Sequence, residues 1–323
     1  MKKNPEFTVT TATTLLPFLL ASLTGKSRNY VKGALGRGQI TVNGKVVTDY
    51  AYALSPGTSV GINMSATPQF NMSLPIIYED DELLVIDKPA GMLSVSTDTE
   101  KENTAYHIAT DYIKSRTTGG VYNGGNNKSA APHKEFGYEK LPTKPSPKDS
   151  RLFIVHRLDR DTSGVLLFAK SEKLKLELQE NWEENARYRG YTAVVEGSVT
   201  PAQGSVTSWL KQTKTLLVYS SDRDGDGKLA ITNYAVRQAN NSYSLLDISL
   251  ETGRKNQIRV HMKDLGFPVV GDRKYGAKTD PLKRLGLHAH LLTIKHPFTE
   301  KEMTFEAKTP KSFISLCAKQ PNN

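Results

Sequence analysis

Hydrophobic residues recur along this chain at two periods, and the switch between them outlines its elements. Leu15, Leu16, Leu19, Leu20 and Leu23 share one face at the 3.6-residue period, which predicts a first helix. Ser27 is a candidate N-cap for a second helix, on which Arg28 and Lys32 project from the same side, four residues apart. Gly38 ends that helix. Two β-prone runs, 39–42 and 45–47, then flank Asn43-Gly44, the strongest short-range signal for a hairpin.

Farther on, residues 76–93 predict a strand, an acidic turn and a second strand that stops at Pro89 and Gly91. An apolar strand over 153–155 runs into His156-Arg157-Leu158-Asp159. A polar loop, 160–163, precedes another strand over 165–169. The run RGYTAVVEG at 189–197 puts Tyr191 at the start of a strand. After Gly253 the pattern predicts a helix over 254–265, stopped by Gly266 at its C′ position. Ile258, Val260 and Met262 cannot all face inward from one helix, so part of this stretch is expected to serve something besides packing. Arg259 and His261 sit among these apolar neighbours, which predicts partial burial. A buried guanidinium needs a carboxylate or a comparable acceptor.

Composition narrows the class. The chain has 323 residues, which suggests about two domains, and 37% hydrophobic content is enough for a sizeable core. Its one cysteine, Cys317, excludes a disulfide scaffold and an all-cysteine zinc site, and fits a reducing cytoplasm. Cys317 falls in a short helix expected over 311–319, where it is expected to pack rather than react. No apolar run approaches the ~18 residues that span a bilayer, so no membrane partner is expected. The N-terminus imitates a secretion signal, but Glu6, Pro17 and the lack of an A-x-A triplet favour the first helix of a small domain.

The formal net charge is +10, a surplus that favours polyanionic partners. It is concentrated. Residues 10–62 carry a net +4, from Lys26, Arg28, Lys32, Arg37 and Lys45 against Asp49. Residues 115–150 carry +3 with four prolines, five glycines and few large apolar side chains, and are expected to form a flexible insertion.

The runs LLPFLLASL, KSRNYVKGALGRGQITVNGKVV and ALSPGTSV over 10–62 resemble an S4 RNA-binding domain. That resemblance implies RNA contacts through Lys26, Arg28, Lys32 and Arg37. HRLDRDTSGVLLFAKS, RGYTAVVEG, ETGRKNQIRVHMKDLGFPVVGDRKYG and LGLHAHLLTIKHPFT together resemble the RluA-type family of pseudouridine synthases, from about residue 76 to about 312. The two resemblances imply an α+β protein: a small S4-like domain with its linker over 1–70, then a catalytic domain over 71–323. The second domain is expected to hold a mixed or antiparallel sheet flanked by helices.

The family resemblance also implies residue roles. Asp159 matches the essential catalytic aspartate, Tyr191 the active-site tyrosine, and Arg259 the basic residue that pairs with the aspartate. Ile258 would pack against the uracil ring, and Arg157 would occupy the space vacated by a flipped uridine. Converting uridine to pseudouridine breaks the N1–C1′ bond, turns the base and rejoins it through C5, so no cofactor or metal is expected. An ionised carboxylate can attack C1′ or C6, or initiate loss of the 2′-proton. The implied partner is RNA, ribosomal RNA ahead of transfer RNA, with no obligate protein partner. The alternative function is a catalytically silent RNA-binding or ribosome-assembly protein. Two positions depart from the family pattern: Lys255-Asn256 replace the usual Thr-His, and Arg189 stands where lysine is common.

Two other patterns imitate metal sites. Asp222 to Gly227 matches the first half of a calcium loop, but Asn233 stands at its twelfth position, so a tight polar turn is expected. His288, His290 and His296 would share one strand face, with no acid or cysteine completing a ligand set.

Overall fold

A computed structural model describes residues 5–25, 28, 31, 34–35, 39–47, 49–62, 74–97, 100, 103–118, 151–221 and 223–318. The N-terminal part contains β1 (Glu6–Thr8), β2 (Thr13–Thr14), α1 (Leu15–Ser22), β3 (Ile40–Val42), β4 (Lys45–Val46), β5 (Ala53–Leu54) and β6 (Ser59–Ile62). Four of these strands form a sheet in the order β1-β6-β3-β4, and β2 pairs with β5. Leu15, Leu16 and Leu19 of α1 pack on Val31, Leu35, Ile40 and Val60 in a core of their own, while Leu20 and Leu23 reach it only partly. Asn43 and Gly44 both have positive φ, 48° and 76°, as a two-residue hairpin turn requires. Arg28 is helical and exposed; Lys26, Ser27, Lys32 and Arg37 lie outside the described residues.

The second part is built on one large sheet. Its strands are β7 (Ile76–Glu79), β8 (Leu83–Lys88), β9 (Phe153–Ile154), β10 (Ser163–Ala169), β11 (Tyr188–Glu196), β12 (Gln203–Gln212), β13 (Val218–Ser221), β14 (Lys228–Ala239), β15 (Tyr243–Leu250), β16 (Leu287–Lys295) and β17 (Glu302–Glu306). The order is β13-β12-β14-β15-β11-β16-β10-β8-β7, with β17 beside β16 and β9 beside β10. The sheet is mixed: β10 and β16 are parallel, and the other pairs are antiparallel. Its helices are α2 (Ala105–Thr118), α3 (Glu172–Glu180), α4 (Trp182–Asn185), α5 (Gln257–Asp264) and α6 (Lys311–Leu316).

Strand β10, SGVLLFA, is buried at every position because both faces of the sheet are covered there. The period of two divides its side chains between two cores. Leu166 and Phe168 join Ile108, Ala109 and Ile113 of α2. Val165, Leu167 and Ala169 join Leu174 and Leu178 of α3. Neighbouring β8 divides in the same way, Leu84 and Ile86 against Leu83 and Val85.

Several expectations are corrected. The helix expected over 254–265 begins later, at Gln257, because Asn256 takes a left-handed conformation (φ 55°) that helix interiors exclude. Gly266 ends it with φ 85°, as expected. Ile258, Val260 and Met262 are all buried, contrary to expectation. The helix lies between two clusters: Ile258 and Met262 face Ala193, Val195 and Leu287, while Val260 faces Leu210, Val218 and Tyr275. Of the insertion expected over 115–150, the first four residues are helical, since α2 continues to Thr118, and residues 119–150 lie outside the described residues.

Candidate active site

The parallel contact between β10 and β16 creates the site. It starts at Ser163↔His288 and Gly164↔Ala289, so the loop entering β10 sits beside the first residues of β16. On the other side of β16, Tyr191 of β11 is in register with Ala289, next to an irregularity at Gly190/Tyr191. Gly164 is required at this approach. Its φ is +114°, and a Cβ there would lie 2.1 Å from the Ala289 carbonyl oxygen.

The loop from 156 to 162 is held from below. Ser94 grips Leu158 twice, donating from its hydroxyl to the Leu158 carbonyl (2.8 Å) and accepting the Leu158 N–H (3.0 Å). The fully buried Lys88 ammonium donates to the carbonyls of Met92 (2.7 Å), Pro89 (3.0 Å) and Arg160 (3.0 Å). Burial lowers its pKa to about 8, opposed by the charges of Asp161 and Asp159. His156 accepts the N–H of Leu167 at Nε2 (3.1 Å) and stacks on Trp182. Burial, with Arg189 nearby, pushes the imidazole down to about 4, so it is neutral with its proton on Nδ1 at pH 7. Asp159 therefore projects from a loop clamped on both sides of it.

Arg259, in the first turn of α5, approaches Asp159 with Nη1 to Oδ2 at 3.7 Å. Its stronger partner is Asp272, which accepts from Nε (2.6 Å) and Nη2 (2.8 Å) in a bidentate pair. Nη1 also donates to the side-chain oxygen of Asn256 (3.0 Å), and the guanidinium lies 4.9 Å from the Tyr275 ring centre. Burial works against the charge, but the bonds and charge of Asp272, helped by Asp159, hold the Arg259 pKa above its ordinary value. The expected pairing of Arg259 with Asp159 is present, but it is the longer of two, and Asp272 is the partner that sequence reasoning did not supply. Asp272, 2% exposed, satisfies the guanidinium and leaves Asp159, 29% exposed, open to the cavity.

Asp159, Tyr191, Ile258 and Arg259 line one cavity of about 620 Å3, whose walls also include Leu287 and Ala289. Arg157 is exposed at its edge. Arg157, Arg189, Arg254, Lys255 and Arg259 make the lining strongly cationic around the one carboxylate of Asp159. Tyr191 is pushed up to about 12 by burial, with Asp159 adding and Arg189 opposing, so its phenol is protonated at neutral pH. Arg189 is buried beside it, donating from Nη2 to the Glu251 carbonyl (2.5 Å), and burial lowers its pKa.

Sequence reasoning missed Asp272, Lys88 and Ser94. Asp272 lies in a motif already singled out, GFPVVGDRKYG, and the need of Arg259 for an acceptor was the available signal. Asn256, noted only as a departure, fixes both Arg259 and Tyr275, donating to the Tyr275 hydroxyl at 3.0 Å.

The metal-like patterns dissolve into hydrogen bonds. His288 bonds with the Ser163 hydroxyl and the Ala307 carbonyl, and His290 with that same carbonyl. His296 follows the end of β16 instead of sharing its face, and pairs with Glu82 at 3.1 Å. Residues 223–227 form a tight turn, in which Asp224 accepts from Trp209 and Asp226 from Lys211 and Ser221. Cys317 is buried with Val194 and Phe313. Among the described residues, no helix is long and apolar enough to cross a membrane.

Residues 82–264 match the family described as RNA pseudouridylate synthase, and residues 15–60 match the S4 domain. The chain is 30% identical over 320 residues to an uncharacterized RNA pseudouridine synthase of Mycoplasma pneumoniae, covering 95% of this chain and 92% of that one. It is 33% identical over 252 residues to the ribosomal large subunit pseudouridine synthase D of Borreliella burgdorferi, 76% of this chain and 68% of the relative. The solved structure of human RNA Pseudouridylate Synthase Domain Containing 4 shares the fold, with a TM-score of 0.51 at 23% identity over 74% of this chain and 90% of that one.

Proposed function

The chain belongs to the RNA pseudouridylate synthase family, with an S4 domain ahead of the synthase domain, and from this premise we propose that it isomerises uridines of structured ribosomal RNA, using Asp159 as its essential carboxylate. The observation that carries the assignment is the convergence of Asp159, Tyr191 and Arg259, from three separate segments, on one cationic cavity. Ribosomal RNA, and the large subunit in particular, is proposed from the name of the Borreliella relative. Transfer RNA is the second candidate.

Isomerisation keeps every atom of the uridine, so the residues present have only to break one glycosidic bond, turn the base and move protons. Asp159 supplies a carboxylate, partly exposed to the cavity, that can attack C1′ or C6, or remove the 2′-proton. Arg259 orients it from 3.7 Å while Asp272 fixes the guanidinium plane. Because the phenol of Tyr191 is protonated at neutral pH, its proposed part is to stack on the base and donate a hydrogen bond. It takes the C5 proton only as it passes its own to N1, which the broken glycosidic bond leaves free to receive it. Ile258 offers an apolar edge to the ring, and Arg157 fills the place of the base in the RNA stack. Flipping a base costs a few kcal/mol, least in loops and bulges. Contacts from the S4 domain, proposed for Lys26, Arg28, Lys32 and Arg37, help offset that cost.

We place the domain boundary at residue 70, giving 1–70 and 71–323, and the enzyme in the cytoplasm. The decisive variant is Asp159→Asn, which removes the charge and keeps the shape. It should abolish pseudouridine and leave RNA affinity nearly unchanged; pseudouridine made by the variant would end the assignment. Mapping pseudouridine in ribosomal and transfer RNA, with and without the gene, identifies the target. A site confined to transfer RNA would overturn the ribosomal reading.

A further inference from the structure

A second cavity, of about 580 Å3, opens on the flank of α5 that carries Val260 and Lys263. It is enclosed by β13, the end of β11 and the segment 266–278. Its floor is apolar and aromatic, with Val218, Val260 and Tyr275 buried and Phe267 half-buried. Its rim is cationic, with Lys263, Lys274 and Lys278 all exposed. Tyr219 and Leu217 also reach solvent here, 40% and 36% exposed, on the last strand of the sheet and the turn before it.

The carboxylates around this groove are already engaged. Glu196 accepts the N–H groups of Lys278 (2.9 Å) and Thr279 (2.6 Å) and the Thr279 hydroxyl (2.6 Å). Asp264 accepts from the Lys263 ammonium (3.1 Å) and the Ser220 hydroxyl. Lysines on a merely solvated surface do not call for an exposed tyrosine and leucine between them. A polyanion whose bases stack does call for that combination.

We infer that this groove is a second RNA-binding site, which takes an unpaired stretch of the substrate RNA with one base stacked on Tyr219 and backbone phosphates on Lys274 and Lys278. The inference rests on the reading of the chain as an enzyme of RNA. Tyr275, on the floor of the groove, is tied through its hydroxyl to Asn256 in the lining of the first cavity. That hydroxyl accepts from Val218 N–H at the groove (3.2 Å) and from Asn256 beside Arg259 (3.0 Å).

The test is anisotropy of fluorescein-labelled U12 RNA with the full chain across a range of salt. Tyr219→Ala should weaken binding about tenfold, as loss of one stacked base does. The double variant Lys274→Gln/Lys278→Gln should flatten the log–log salt dependence by about 1.4, from two lost phosphate contacts on a single strand. Failure of the wild-type chain to bind U12, or unchanged affinity and slope in both variants, overturns the inference. Binding and turnover are read separately. Loss of U12 binding in these variants of a chain that makes no pseudouridine keeps the groove and ends the catalytic reading. Unchanged binding by the variants of an active enzyme does the reverse.

Discussion

Arg259 has two carboxylates within reach and divides itself unequally between them. Asp272 takes two short, parallel hydrogen bonds inside the protein, and Asp159 receives only a 3.7 Å contact at the cavity wall. That asymmetry suits the reactive role proposed for Asp159: a bidentate bond to it would tie up the lone pairs that role uses. Replacing Asp272 with Asn should leave a buried guanidinium half-neutralised, at a cost of about 3–5 kcal/mol in stability. Turnover should fall about 100-fold through misplacement of Arg259, with the substrate KM little changed. Urea denaturation and single-turnover kinetics check the two halves of this expectation. Tyr191 makes a separate prediction. Subtracting the 295 nm titration of Tyr191→Phe from that of the wild type should reveal one phenol ionising near pH 12. An ordinary value near pH 10 would mean that water in the cavity reaches the half-buried phenol freely.

At the scale of elements, the Asp159 loop depends on the close parallel start of β10 and β16. Gly164→Ala should lower stability by about 2–5 kcal/mol, because the new methyl meets the Ala289 backbone and the positive φ is strained for any L residue. A variant as stable as wild type in urea would show that the two strands separate without penalty. The elements themselves were largely legible. The Asn43-Gly44 hairpin, the β7–β8 turn, the strand after Asp159 and the Gly266 helix stop all follow from local turn chemistry or from a period of two. The start of α5 was not legible, since a left-handed Asn256 is stabilised by Arg259 and Tyr275, which the fold brings to it. Nor was its burial on both flanks, because Val260 is covered by β13, a strand more than 30 residues earlier in the chain.

Across the whole molecule the same division holds: side chains proposed to touch substrate could be matched by motif, whereas those that hold them, Asp272, Lys88 and Ser94, become visible only when distant segments meet. Two buried histidines, His261 and His288, and the half-buried His156 connect this scaffold to pH. His156 anchors the Asp159 loop, His261 ties α5 to Thr232 and Ser208, and His288 joins Ser163 to Ala307. Burial lowers all three to about 4. A histidine pKa lower in the folded chain than its ordinary 6.5 means that the unfolded chain binds more protons between pH 6.5 and 4. Stability from these groups is then complete above pH 6.5 and is lost as pH falls through 4. Each histidine contributes a slope of up to ~1.4 kcal/mol per pH unit within that window. Two of the three, His156 and His261, hold segments that line the larger cavity, so the acid transition should release the Asp159 loop and α5 together. Urea midpoints from pH 7 to 4 should fall most steeply below 6.5, and histidine ring resonances of the folded chain should show three groups still neutral at pH 5. Titration of those three near 6.5, with the fold intact, would remove burial as the source of the acid sensitivity.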